Sequence, residues 1–234
     1  MKKEGATINP DYFLFGMYLI FFVSVVFSFR AISSISLGLV VLTGLVVNRK
    51  NLPVKKSFSL FIISCLLLFL LQCFSLLYTT NISEGMKLAQ RSSALIFIPA
   101  AVLASQKFFT SQLSKKLMLY FAIILAIAGL YCLAVASFKY FSGESVLVFF
   151  YHPLVEPLSQ HAIQLSILVF VALLSLLENF KKNEESSINS TRLLIIFLSL
   201  FLVLLSSKLI ISFYIIYLFH YFFYRRLFKN RDII

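Results

Sequence analysis

In 234 residues, 60% are hydrophobic and 13% charged, and the formal net charge is +12. A water-soluble domain cannot hide that much apolar surface, so the composition points away from an ordinary soluble enzyme and makes lipid the expected solvent. The basic excess does not signal a nucleic-acid partner, because the lysines and arginines stand at the ends of apolar blocks and do not interleave with aromatics on a polar face.

The apolar residues fall in long blocks, which predict an all-α, polytopic transmembrane helix bundle of about eight spans, a single domain over residues 1–234. The first span is expected over 12–29. Met1-Lys2-Lys3 precedes it as in a signal peptide, but the run is too long for a secretory h-region and no A-x-A-like site follows, so it reads as uncleaved. Further spans are expected over 31–47, 58–78, 92–105, 117–138, 162–177, 193–206 and 208–223. The fourth is the shortest and contains Pro99, which removes a backbone donor, so a re-entrant course is its alternative. Arg30 and the Ser206-Ser207-Lys208 turn close two tight hairpins. Ser34-xxx-Gly38 is a small-residue pair that lets helices approach. Cys65, Cys73 and Cys132 lie inside apolar blocks and imply neither a disulfide framework nor a metal motif.

With the N-terminus in the cytoplasm, 16 of the 21 basic residues fall in inside segments. Only Arg30, Lys87, Arg91, Lys139 and Lys208 fall outside, an asymmetry that supports an even number of crossings with both ends in the cytoplasm of a bacterial-type inner membrane. The inside charges are read as topology signals. Arg30, Arg91 and Lys208 sit at span ends on the disfavoured side, where an anionic headgroup or diphosphate is met; snorkelling is the structural alternative.

The longest outside segment, Lys139 to Gln160, is apolar and aromatic over Val146–Tyr151, so it is expected to lie along the membrane surface before Pro153 and Pro157 redirect it. His152, Glu156 and His161 bring titratable groups to this stretch. A carboxylate and an imidazole can form an acid–base pair, but capping, interface anchoring or local hydrogen bonding ranks ahead of catalysis. His220 reads as interfacial. The sequon-like triplets Asn81-Ile82-Ser83 and Asn189-Ser190-Thr191 are discounted as chance matches. The chain has no phosphate-binding or dinucleotide glycine loop, no H-E-x-x-H helix and no nucleophile elbow, so neither cofactor nor metal is expected. Nor is there an internal repeat of the kind transporters carry.

The segment YHPLVEPLSQHAIQLS, the later LFLVLLSSKLIISFYIIYLF and the earlier MKLAQRSSALIFIPAAVL resemble the central part of the O-antigen ligase family of bacterial membrane glycan transferases. The resemblance implies transfer or polymerisation of glycan from an undecaprenyl diphosphate carrier, at the periplasmic face, to a lipid or glycan acceptor. Lys208 matches the small-small-basic turn where the family often has arginine, and is the implied diphosphate contact; Arg91 is the next candidate, and His161 and Arg30 complete the set. Family members continue into further spans and a large periplasmic loop carrying a histidine base, so a truncated chain, inactive by itself, is expected. A non-enzymatic assembly subunit or small transporter is the alternative class.

Overall fold

The computed structural model describes residues 10–47, 56–79, 81–105, 108, 112–180 and 188–229. The helices are α1 (Pro10–Val26), α2 (Arg30–Val47), α3 (Lys56–Ser75), α4 (Ile82–Ser92), α5 (Ala94–Ala104), α6 (Gln112–Phe141), α7 (Tyr151–Val155), α8 (Ala162–Phe180), α9 (Ile188–Leu204) and α10 (Lys208–Lys229), with 3-10 turns at Val146–Phe149 and Glu156–Leu158. No strand occurs among the described residues, so the fold is all-α. Each apolar block expected from the sequence lies on a helix. By length and composition, Gln112–Phe141 is long and apolar enough to cross a membrane, with a mean hydropathy of 2.5. Tyr151–Leu158 and Ala162–Glu178 reach that standard jointly, across a bend of 82°. Five other apolar helices are shorter.

Two helices, α4 and α7, lie outside the expected spans. Ile82–Ser92, with the sequence ISEGMKLAQRS, falls between the third and fourth of those spans and is polar on one side. It starts because the Asn81 side chain accepts a hydrogen bond from the Glu84 backbone N–H at 3.2 Å, which satisfies one of the donors a helix start leaves open. The triplet discounted as a sequon is thus a helix cap. A break at Ser93 separates α4 from α5, which holds Pro99 within its 11 residues. At 1.5 Å per residue α5 rises roughly 16 Å, about half the hydrocarbon thickness of a bilayer.

The chain divides into two compact units, one made of residues up to Phe21 with Arg30–Leu117, the other of Phe22–Phe29 with Met118–Ile234. In the first, α5 packs on α2 and α3. The contact with α2 is close because Gly44 has no side chain: a Cβ there would stand 2.7 Å from the Ala104 Cβ and 2.9 Å from its carbonyl. Gly38 meets nothing within 4 Å, so the small-residue approach on α2 is made at Gly44 and not at the Ser34-Gly38 pair. Tyr18 donates from its hydroxyl to the Ala101 carbonyl at 3.3 Å and stacks on Phe108.

The second unit has the larger core. Leu125 of α6, Leu165 and Leu173 of α8, and Leu198 and Leu202 of α9 are fully enclosed. Gly129 admits Phe197 and Phe201 against α6, since a Cβ there would lie 3.3 Å from both rings. Tyr214 of α10 shares a 2.7 Å hydrogen bond with Ser199 of α9 and meets the Phe170 ring of α8 edge-on. Its outer surface is apolar too: along α10, Leu209, Phe213 and Ile216 are 64%, 53% and 62% exposed.

Gly44→Val should destabilise the fold by about 1–3 kcal/mol through overpacking, whereas Gly38→Ala should be neutral or raise stability by up to about 1 kcal/mol. Thermal unfolding of the purified detergent-solubilised variants, compared side by side, checks both.

Candidate functional site

The residues that carry chemistry gather at one end of the second unit, where three helix ends are closed by left-handed residues. Helix α1 ends in a Schellman motif: Ser28 has φ 59°, the Phe29 N–H donates to the Ser24 carbonyl at 2.8 Å, and the Ser28 N–H donates to that of Val25 at 3.4 Å. Helix α6 ends in the same way, with Gly143 at φ 98° and the Glu144 N–H donating to the Lys139 carbonyl at 3.2 Å. Helix α9 stops at Ser206, φ 52°, whose N–H donates to the Val203 carbonyl at 2.9 Å. Serine does twice what glycine does once, which is why composition alone hides these stops.

Between α6 and α8 the chain folds into a cap. Val146–Phe149, α7 and Glu156–Leu158 form three consecutive short turns that bury Val148, Leu154, Val155 and Leu158, while Val146 and Leu147 remain exposed. The Gln160 side-chain amide ties the cap to the end of α1 by donating to the Val25 carbonyl, with a longer contact of 3.4 Å to that of Val26. The Ser28 hydroxyl answers by donating to the Ser159 carbonyl at 3.3 Å. Tyr151 and Ser159, at φ 55° and 51°, supply the two reversals. For an aromatic residue such as Tyr151 this conformation is strained, and strain of this kind concentrates at functional sites.

Glu156 does not pair with an imidazole. Its carboxylate binds the Lys139 ammonium at 2.5 Å, across the start of the cap, and this contact holds the lysine pKa above its ordinary value. His152 instead packs on His161, ring centroids 4.3 Å apart and nearly perpendicular, and against Tyr151 on the other side at 4.2 Å. His161 also accepts the Ile163 backbone N–H on its Nδ1 at 3.3 Å, while its carbonyl receives the Leu165 N–H, so it caps α8. Capping and local hydrogen bonding, the structural readings of this stretch, are what these contacts are.

The four candidate residues divide between the units. Lys208 and His161 belong to the second: they open α10 and α8, helices that run the same way and touch through Tyr214 and Phe170, and both side chains are exposed. Arg30, exposed at the start of α2, and Arg91, in α4, belong to the first. His220 is exposed on α10. Lys139, Gln160, Ser28 and the Tyr151 backbone were not singled out from the sequence as site residues; Lys139 alone carried a signal, as a cation on the disfavoured side. Among the described residues no group of three or more His, Cys, Asp or Glu side chains converges as a metal site would require. The three cysteines are free thiols.

Removing the Gln160 amide takes a donor from the Val25 and Val26 carbonyls at the end of α1. Gln160→Ala should cost about 1–3 kcal/mol, and Gln160→Glu more, because a carboxylate would face carbonyl oxygens. A melting temperature unchanged in both variants would show that the tie is not structural.

No protein-family model, curated protein or solved structure matches this chain.

Proposed function

We propose that the chain is a multi-pass protein of a bacterial inner membrane, akin to the O-antigen ligases, whose second unit holds the diphosphate of an undecaprenyl-linked glycan at the periplasmic face. The observation that carries this reading is the start of α10. An exposed cation, Lys208, opens the helix beside the exposed apolar stripe of Leu209, Phe213 and Ile216, and His161 opens the neighbouring helix. A polyisoprenyl diphosphate asks for that combination: positive charge for the leaving group next to apolar surface for the chain. Lysine offers a point charge without the bidentate fork of arginine, so it neutralises the diphosphate more than it orients it.

In glycan transfer the leaving diphosphate needs cations and the acceptor hydroxyl needs a base. Glu156 is engaged by Lys139 and His161 by its cap, so the reading assigns this end of the unit to donor binding and assigns proton abstraction to none of its residues. The same engagements favour, as the second reading, a membrane protein that binds lipid-linked glycan without transferring it.

Both readings rest on the membrane topology. Periplasm-dependent alkaline phosphatase fused after Thr79, Gly143 or Ser206 should be active, and after Asn183 or Lys229 inactive. Because α5 is short, the pair at Thr79 and Gly143 is decisive: activity at the first alone would make α5 re-entrant and reverse every later loop.

Lys208→Ala should weaken binding of undecaprenyl diphosphate by roughly tenfold, about 1.4 kcal/mol, with Lys208→Arg retaining it. Equal binding by wild type and Lys208→Ala, in protein shown to be folded, would remove Lys208 from the site.

A further inference from the structure

The second unit contains a feature that donor binding does not use. A cavity of about 540 Å³ lies between α6 and α9, walled by Leu119, Ile123 and Leu130 on one side and by Leu193, Phe197 and Leu200 on the other. Ala126 forms part of its floor, where a larger side chain would fill it. Its lining is apolar except at one end, where Ser190 and Thr191 stand in the first turn of α9 next to the exposed Arg192.

The dimensions narrow the occupant. From Ser190 to Leu200 the helix rises roughly 15 Å, about half of the ~30 Å hydrocarbon core. A transmembrane partner helix would need a continuous face over the full thickness. This groove instead runs along α9 only from Ser190 to Leu200 and along α6 only from Leu119 to Leu130. One end polar and cationic, the other apolar, and a length of one leaflet describe a seat for a lipid chain with its headgroup at the loop end.

We propose that this groove holds one acyl chain of an anionic phospholipid of the cytoplasmic leaflet, with the lipid phosphate against Ser190, Thr191 and Arg192. The leaflet rests on the orientation proposed above, in which the segment before α9 is inside. Lysine and arginine in that position are where anionic headgroups concentrate. The seat lies at the opposite end of α9 from Lys208, so occupation of one does not require the other.

The test is native mass spectrometry of the intact chain in detergent, with phosphatidylglycerol and phosphatidylcholine of equal chain length offered separately. Wild type should retain one phosphatidylglycerol at activation energies that strip phosphatidylcholine. Arg192→Gln should lower phosphatidylglycerol retention about fivefold and leave phosphatidylcholine unchanged; Ala126→Phe should lower it at least tenfold by filling the groove. Equal retention of the two lipids by wild type, or unchanged phosphatidylglycerol retention in folded Ala126→Phe, would overturn the proposal. Should Ala126→Phe fail to fold, the Thr191→Val/Arg192→Gln double variant decides, and undiminished selectivity there overturns it equally. Protein released from membranes by alkaline carbonate would overturn the membrane reading beneath it, whereas a carbonate-resistant protein without lipid selectivity would overturn this inference alone.

Discussion

The second unit depends on how the end of α1 is finished. A helix end leaves four carbonyls without partners, and where water is scarce each must find a donor from the protein. Ser28 turns the chain so that two backbone N–H groups fold back, and Gln160, far away in sequence, brings the third donor. With the Ser28 hydroxyl, which donates to the Ser159 carbonyl, that amide ties the cap between α6 and α8 to the end of α1. The His152 and His161 rings and the Lys139–Glu156 pair belong to the same cap.

Electrostatics in the cap follow the same economy of partners. An exposed carboxylate and an exposed ammonium meet at Lys139 and Glu156, and solvent screening keeps such a pair modest in energy. Its effect is on assignment: the Glu156 carboxylate is bound to Lys139 and does not pair with an imidazole. His161, accepting a backbone N–H on Nδ1, is likewise oriented by its helix before any ligand arrives. At the same end of the unit, Lys208 opens α10 with an exposed side chain.

Hydropathy made the helices legible because outward-facing and core-facing residues are apolar alike, so each block announced its helix and its approximate length. It also concealed which face of each helix packs inward: nothing in the string distinguishes Gly44, pressed on Ala104, from Gly38, which touches nothing. Helix α4 escaped because its face is mixed and its start is a side-chain cap on Asn81, a local hydrogen bond that a search for apolar runs does not register. The position of α1's end was hidden for a related reason, since Ser28 adopts the left-handed conformation that glycine would have advertised. At the candidate site, Lys208 and His161 were readable as a cation at a turn and an imidazole before a helix. The pairing of Glu156 with Lys139 was not, because it depends on the path of the cap and not on spacing along the chain.

Tyr151 carries a consequence for the free-energy landscape of the cap. Holding an aromatic residue in the left-handed region costs about 1–2 kcal/mol, so the ordered cap is less favoured than a relaxed arrangement of the same contacts by roughly a factor of ten in equilibrium constant. The burial of Leu154, Val155 and Leu158 and the ties to the end of α1 have to offset that strain to keep the cap ordered. That reversal is made without a glycine: a tyrosine holds it, beside two histidine rings set nearly perpendicular to each other.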